Sequence, residues 1–163
     1  MASYQLIETV TVGGAGAASI SFSSIPQTFT DLAVMLSTRS ASTGNQIIPS
    51  VNGSTATGTS NLFGDGASAL ATNTVTWMGF GASSSDTASV FGSNLIYFPN
   101  YALTQSKVAF SHAGNENSGT TAYITLVSAY WSSTTAISTL SFATNAGNFV
   151  QYSTASLYGI KSS

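Results

Sequence analysis

The chain has 163 residues, of which eight carry a formal charge: Glu8, Asp31, Arg39, Asp65, Asp86, Lys107, Glu116 and Lys161. At 5% charged, against about 25% in an ordinary soluble domain, and with a net charge of −2, it lacks the basic patch that attracts nucleic acid and most of the groups that acid–base catalysis uses. A content of 43% hydrophobic and 11% aromatic residues argues against disorder, the absence of Cys removes disulfides and thiolate metal sites, and no apolar run approaches the ~18 residues of a membrane span.

Polarity must then come from Ser, Thr, Asn, Gln and Gly, a set that suits short strands and turns. The first strand is predicted over Tyr4 to Val12, closed into a hairpin by Gly13-Gly14-Ala15-Gly16. Ala18, Ile20 and Phe22 alternate with Ser19, Ser21 and Ser23, a half-buried strand that stops at Ile25-Pro26. In the next strand Leu32, Val34 and Leu36 oppose Ala33 and Met35, and two apolar faces predict cover on both sides. Ile47, Ile48 and Val51 form a short strand ended by the turn dipeptide Asn52-Gly53. Residues 52–74 are expected to be the longest irregular stretch, pinned by Leu62 and Phe63. Further strands are predicted over Val75 to Phe80, Ser93 to Phe98, Lys107 to His112, Tyr123 to Trp131, Ile137 to Phe142 and Ser153 to Ile160.

No window carries the capped apolar stripe of a helix, and no fixed-period repeat or composition shift divides the chain. The expectation is an all-β protein: one antiparallel β-sandwich of jelly-roll type, about 8–10 strands, filling residues 1–163 as a single domain. The N-terminus lacks a basic region followed by an apolar one, so it does not read as a signal peptide.

Candidate chemistry is sparse. His112 is the only histidine; it reads as a strand-end polar residue sharing a face with Val108 and Phe110, and no Gly-x-Ser-x-Gly elbow supports a hydrolase triad. Asp65, between Gly64 and Gly66, and Asp86, after three serines, read as turn residues that bond their own backbone, without the clustered acids of a calcium loop. Gly13 to Gly16 lacks the Lys-Ser/Thr pair of a phosphate loop. Tyr97, Phe98, Tyr101, Tyr130 and Trp131 are the densest aromatic material and read as core on two strands, with Phe98-Pro99-Asn100-Tyr101 the piece expected at the surface because Pro99 ends its strand. No catalytic residue, cofactor or metal is expected. The residues expected to touch a partner are Ala2, Ser3 and Tyr4, a free end before the first strand, and Phe98, Asn100 and Tyr101.

Several blocks carry a family resemblance. They are Tyr4-Gln5-Leu6-Ile7-Glu8-Thr9-Val10-Thr11-Val12, Ile25-Pro26-Gln27-Thr28-Phe29-Thr30-Asp31-Leu32, Ile96-Tyr97-Phe98-Pro99-Asn100-Tyr101, and the ending from Gly147 to Ile160. Together they span nearly the whole chain and resemble jelly-roll virion proteins of tailed bacteriophages of marine and freshwater bacteria, cyanophages among them. The resemblance implies a capsid cement or decoration protein on the outer surface of the phage particle. Its partners would be further copies of itself, in a homotrimer, and the major capsid protein, with neither nucleic acid nor membrane. The other reading is a tail or head fibre module that recognises host surface glycans; fibres usually carry a long stalk, and here the first strand begins by residue 4.

Overall fold

The structure, a computed structural model, describes residues 3–73, 76–117 and 121–161. Among the described residues all regular elements are strands: β1 Ser3–Thr11, β2 Ser19–Phe22, β3 Asp31–Thr38, β4 Ile47–Val51, β5 Gly58–Gly64, β6 Ala69–Thr72, β7 Gly92–Phe98, β8 Lys107–Asn117, β9 Thr121–Trp131, β10 Leu140–Thr144 and β11 Thr154–Lys161. They form two antiparallel sheets, one of eight strands ordered β1-β11-β3-β7-β8-β9-β5-β6 and one of three ordered β2-β10-β4. The protein is an all-β sandwich of unequal layers, with more strands than the expected eight to ten.

The core lies between the layers. Leu32, Val34, Leu36, Ile96, Phe98, Val127, Trp131 and Leu157 come from the large sheet, and Ile20, Phe22, Ile47, Val51, Leu140 and Phe142 from the small one. Alternation at period 2 explains why these residues meet: β2 reads exposed, buried, exposed, buried, with Ser19 and Ser21 outward and Ile20 and Phe22 inward. Loops close the ends of the sandwich with Ile25, Phe29, Trp77, Tyr101, Ile137 and Phe149.

Several local expectations need correction. Gly13 to Gly16 makes a turn, with the Gly16 N–H donating to Gly13 at 3.0 Å, but it does not close a hairpin. Strand β1 pairs with β11 and β2 with β10, because Val12 stays bonded to Tyr152 and Ser153 while Ala17 bridges to Phe149 in the segment between β10 and β11. The stretch 52–74 is not irregular beyond its start: β5 and β6 form a hairpin turned at Gly64-Asp65-Gly66. Phe63 faces inward against Phe80 and Tyr123, whereas Leu62 faces out. Val75 lies outside the described residues, and 76–79 is not a strand. There the backbone closes on the large sheet, and a side chain at Gly79 (φ 114°) would strike Asn94 and Ala113. Strand β10 starts at Leu140, three residues later than Ile137. The turn at Asn52-Gly53 forms as expected, both residues at positive φ (48° and 83°).

Strand β3 is the third of eight, yet it is not covered on both sides. Leu32, Val34 and Leu36 are in the core, while Met35 is exposed on the opposite face. That face carries most of the exposed large apolar side chains among the described residues.

Candidate interaction surface

The outer face of the large sheet can be followed row by row through the strand register. One row runs Leu6, Tyr158, Ala33, Tyr97, Phe110, Ser128, Ser60 from β1 to β5. The next runs Thr9, Ser156, Met35, Leu95, His112, Leu126, Leu62, Ala71 across all eight strands. Val108 and Tyr130 pair beyond the first row, and Ile124 sits beyond the second. Nine large apolar side chains on this face, Tyr4, Leu6, Met35, Leu62, Val108, Phe110, Ile124, Leu126 and Tyr130, are between 42% and 61% exposed.

On β8 the usual sorting is inverted. Val108 and Phe110 point to solvent while Ala109, Ser111 and Ala113 point to the core. The cause is clearance: the Ser111 hydroxyl donates to the Met78 carbonyl at 3.1 Å, and the Gly79 backbone lies against Ala113, so only small residues fit beneath. His112 belongs to this outer row with Val108 and Phe110, as expected, but in mid-strand, since β8 continues to Asn117.

The face has no formal charge in its interior. Its rim carboxylates are bound within the chain. Asp31 accepts from the Tyr97 hydroxyl at 2.7 Å and from the Asn100 N–H at 2.8 Å, and burial with the Asp31 bond pushes the Tyr97 phenol up to about 12. Glu116 accepts from the Thr87 N–H at 3.1 Å and its hydroxyl at 2.6 Å.

The other charges hold loops. The Arg39 guanidinium donates to the carbonyls of Asp86, Thr87 and Val90. Asp86 accepts from the Ser83 N–H at 2.7 Å, and Asp65 from the N–H groups of Ala67 and Ser68, which lower its carboxyl below the usual range. Both aspartates are therefore turn residues. Lys107, only 2% exposed, donates to the carbonyls of Leu103 and Gln105 at 2.6 Å each, and burial lowers its ammonium below the ordinary lysine value. Among the described residues no group of three or more His, Asp or Glu is placed to hold a metal ion.

The expected contact residues scatter. Ala2 lies outside the described residues. Ser3 begins β1 and is exposed, and Tyr4 is exposed on the outer face, edge-on to Tyr158. Asn100 is exposed in a tight turn at φ 50°. Phe98 and Tyr101 are corrected: at 1% and 0% exposure they belong to the core. Phe98 is on the inner parity of β7 against Trp131, and the Tyr101 hydroxyl donates to the Pro26 carbonyl, so Pro99 turns the chain inward. Of the five clustered aromatics, Phe98, Tyr101 and Trp131 are core and Tyr130 is on the outer face.

Sequence reasoning missed Leu62, Val108, Phe110, Ile124 and Leu126 as surface. Their signal was the contrast of large and small side chains at the two parities of β8, which polarity alone assigns to the wrong side. No family model, no curated protein and no solved structure matches the chain.

Proposed function

We propose that this chain is a structural protein of a tailed-phage virion, an oligomeric capsid cement or decoration protein on the outside of the head. The observation that carries the reading is the outer sheet face, an uncharged apolar surface on a chain whose carboxylates and guanidinium are mostly engaged in holding its own loops. Such a molecule is equipped to assemble by shape and has no set of free acid and base groups with which to act as an enzyme. The nested pairing of the chain, β1 with β11 and β2 with β10, supports a jelly-roll description of the sandwich. The mechanism is mechanical. Copies of the protein join one another, as trimers if the resemblance extends to symmetry, and bridge neighbouring shell subunits so that none lifts away alone. Symmetric repetition lets weak single contacts add.

Quantitative mass spectrometry of purified virions tests this. Copy numbers comparable with the major capsid protein are expected. A small multiple of the tail symmetry would move the protein to a fibre and to host glycans, and absence from the particle overturns the virion reading. Because the contacts would be apolar and hydrogen-bonded, binding to heads should change little between low and moderate salt.

A further inference from the structure

We propose that the outer face of the eight-stranded sheet is buried against a second copy of this chain. The inference deepens the assembly reading above and rests on the oligomer it requires. Area is the first argument. Nine large apolar side chains stand about half exposed; the three aromatic ones alone, at roughly 150–250 Å² each when whole, present on the order of 300 Å², and six aliphatic side chains extend the patch well beyond that. A stable interface needs about 800 Å² per partner, and the largest apolar patch of an ordinary monomer is about 300–600 Å². Half-buried Tyr97, Leu95 and Tyr158 join the β1–β11–β3 part of the patch to the β8–β9–β5 part, so it is continuous.

Charge is the second argument. A copy docking on itself meets its own charges, and a like-charged face would repel. Here the interior rows contain no Asp, Glu, Lys or Arg, and the rim carboxylates Asp31 and Glu116 already accept hydrogen bonds from their own chain. Apart from His112 the interior rows offer a charged partner no charged side chain to pair with, and a second copy would meet like carboxylates only at the rim. Shape is the third. Two copies of one sheet share one twist, and equally twisted sheets stack about 10 Å apart with strands crossing near 30°. The apolar side chains that β8 turns outward, Val108 and Phe110, are the ones such a layer would cover. A trimer sets the β1–β11–β3 half of one copy on the β8–β9–β5 half of the next, whereas a two-fold pair lays the face on itself about an axis in the plane of contact.

The test is the mass of the purified full-length chain by light scattering over a concentration series. A multiple of the 16.6 kDa chain is expected, with Phe110→Asp/Leu126→Asp shifting it to monomer and Leu103→Asp, an exposed apolar residue elsewhere, leaving it unchanged. If the double variant does not fold, a thiol reports instead. The chain has no Cys, so Ser128→Cys places a single one on the face, and it should be shielded from maleimide in the assembled protein and labelled on dilution to monomer. A monomer at every concentration, or an oligomer that neither aspartate disturbs and whose introduced thiol labels freely, overturns the proposal. A monomer that still decorates heads would sink this interface and leave the virion role standing. An oligomer absent from virions would do the reverse.

Discussion

The two faces of the large sheet differ less in polarity than in what lies against them. Beneath the small sheet the inner face is Leu, Val, Ile and Phe, packed to exclusion of solvent. Beneath the loop that contains Trp77 and Met78 the same face carries Asn61, Asn94, Ser111, Asn115 and Thr125, all buried. The outer face, open to solvent, carries Phe110, Ile124 and Leu126. Beneath that loop, polarity does not decide which side of a strand goes in. Clearance does: a close backbone selects Ala, Ser and Asn inside, and larger apolar residues are left to the other parity.

The comparison breaks most sharply at the apolar end of the inner face. Trp131 packs against Phe98 at 6.0 Å between ring centres and donates from its indole to the Ser54 carbonyl at 3.0 Å. Trp131→Ala should cost about 3–5 kcal/mol, read as a lower urea midpoint at unchanged slope, because a cavity that size cannot collapse among fixed strands. A loss below ~1 kcal/mol would mean that this end of the sandwich is loosely packed.

The polar end should respond with the opposite sign. Asn61 is 4% exposed and neither of its amide atoms meets a partner among the described residues. An unpaired buried amide costs about 1–3 kcal/mol, so Asn61→Leu, close in volume, should raise stability by about 1–2 kcal/mol in the same unfolding assay. Destabilisation would instead show that the amide is satisfied within the folded protein.

Strand existence was readable where alternation was strong and unshared. Ile20 and Phe22 against Ser19 and Ser21, or Asn52-Gly53 after Val51, carry their own instructions in side-chain period and positive φ. The β5–β6 hairpin was not readable, because Thr, Ser, Gly and Asn serve strands and loops alike and its pairing with β9 is a long-range event. Nor was the fate of Phe98 and Tyr101. Pro99 does end the strand, but the turn that follows returns the chain to the core, and a proline marks the break without its direction. The apolar outer face was hidden for a related reason, since on β8 both parities carry apolar residues and only the layer beneath tells them apart.

On the outer face a change should leave the fold nearly untouched. Leu126 is half exposed and touches no inner layer, so Leu126→Thr should alter monomer stability by no more than about 0.5–1 kcal/mol while weakening self-association. Equal losses in the monomer and in the oligomer would show that this side chain serves the fold and not the contact.

The smallest effect separates buried charge from buried polarity on the inner face. Lys107 is the cation at the end of that face, held by two loop carbonyls, and burial lowers its folded pKa below the usual 10.5. Between the folded value and 10.5 the unfolded chain therefore holds a proton that the folded chain has released, so stability must rise with pH through that window. Tyr97 acts in the other direction. Its folded value is raised from 10 to about 12, so its contribution is complete below 10 and is lost as pH climbs toward 12. Measured below about pH 10, where the phenol is silent, the wild-type protein should gain stability as pH rises and Lys107→Met should flatten that slope. If both proteins show one slope, the ammonium keeps its solution affinity for protons, and the two carbonyls of the 99–106 loop replace its water in full.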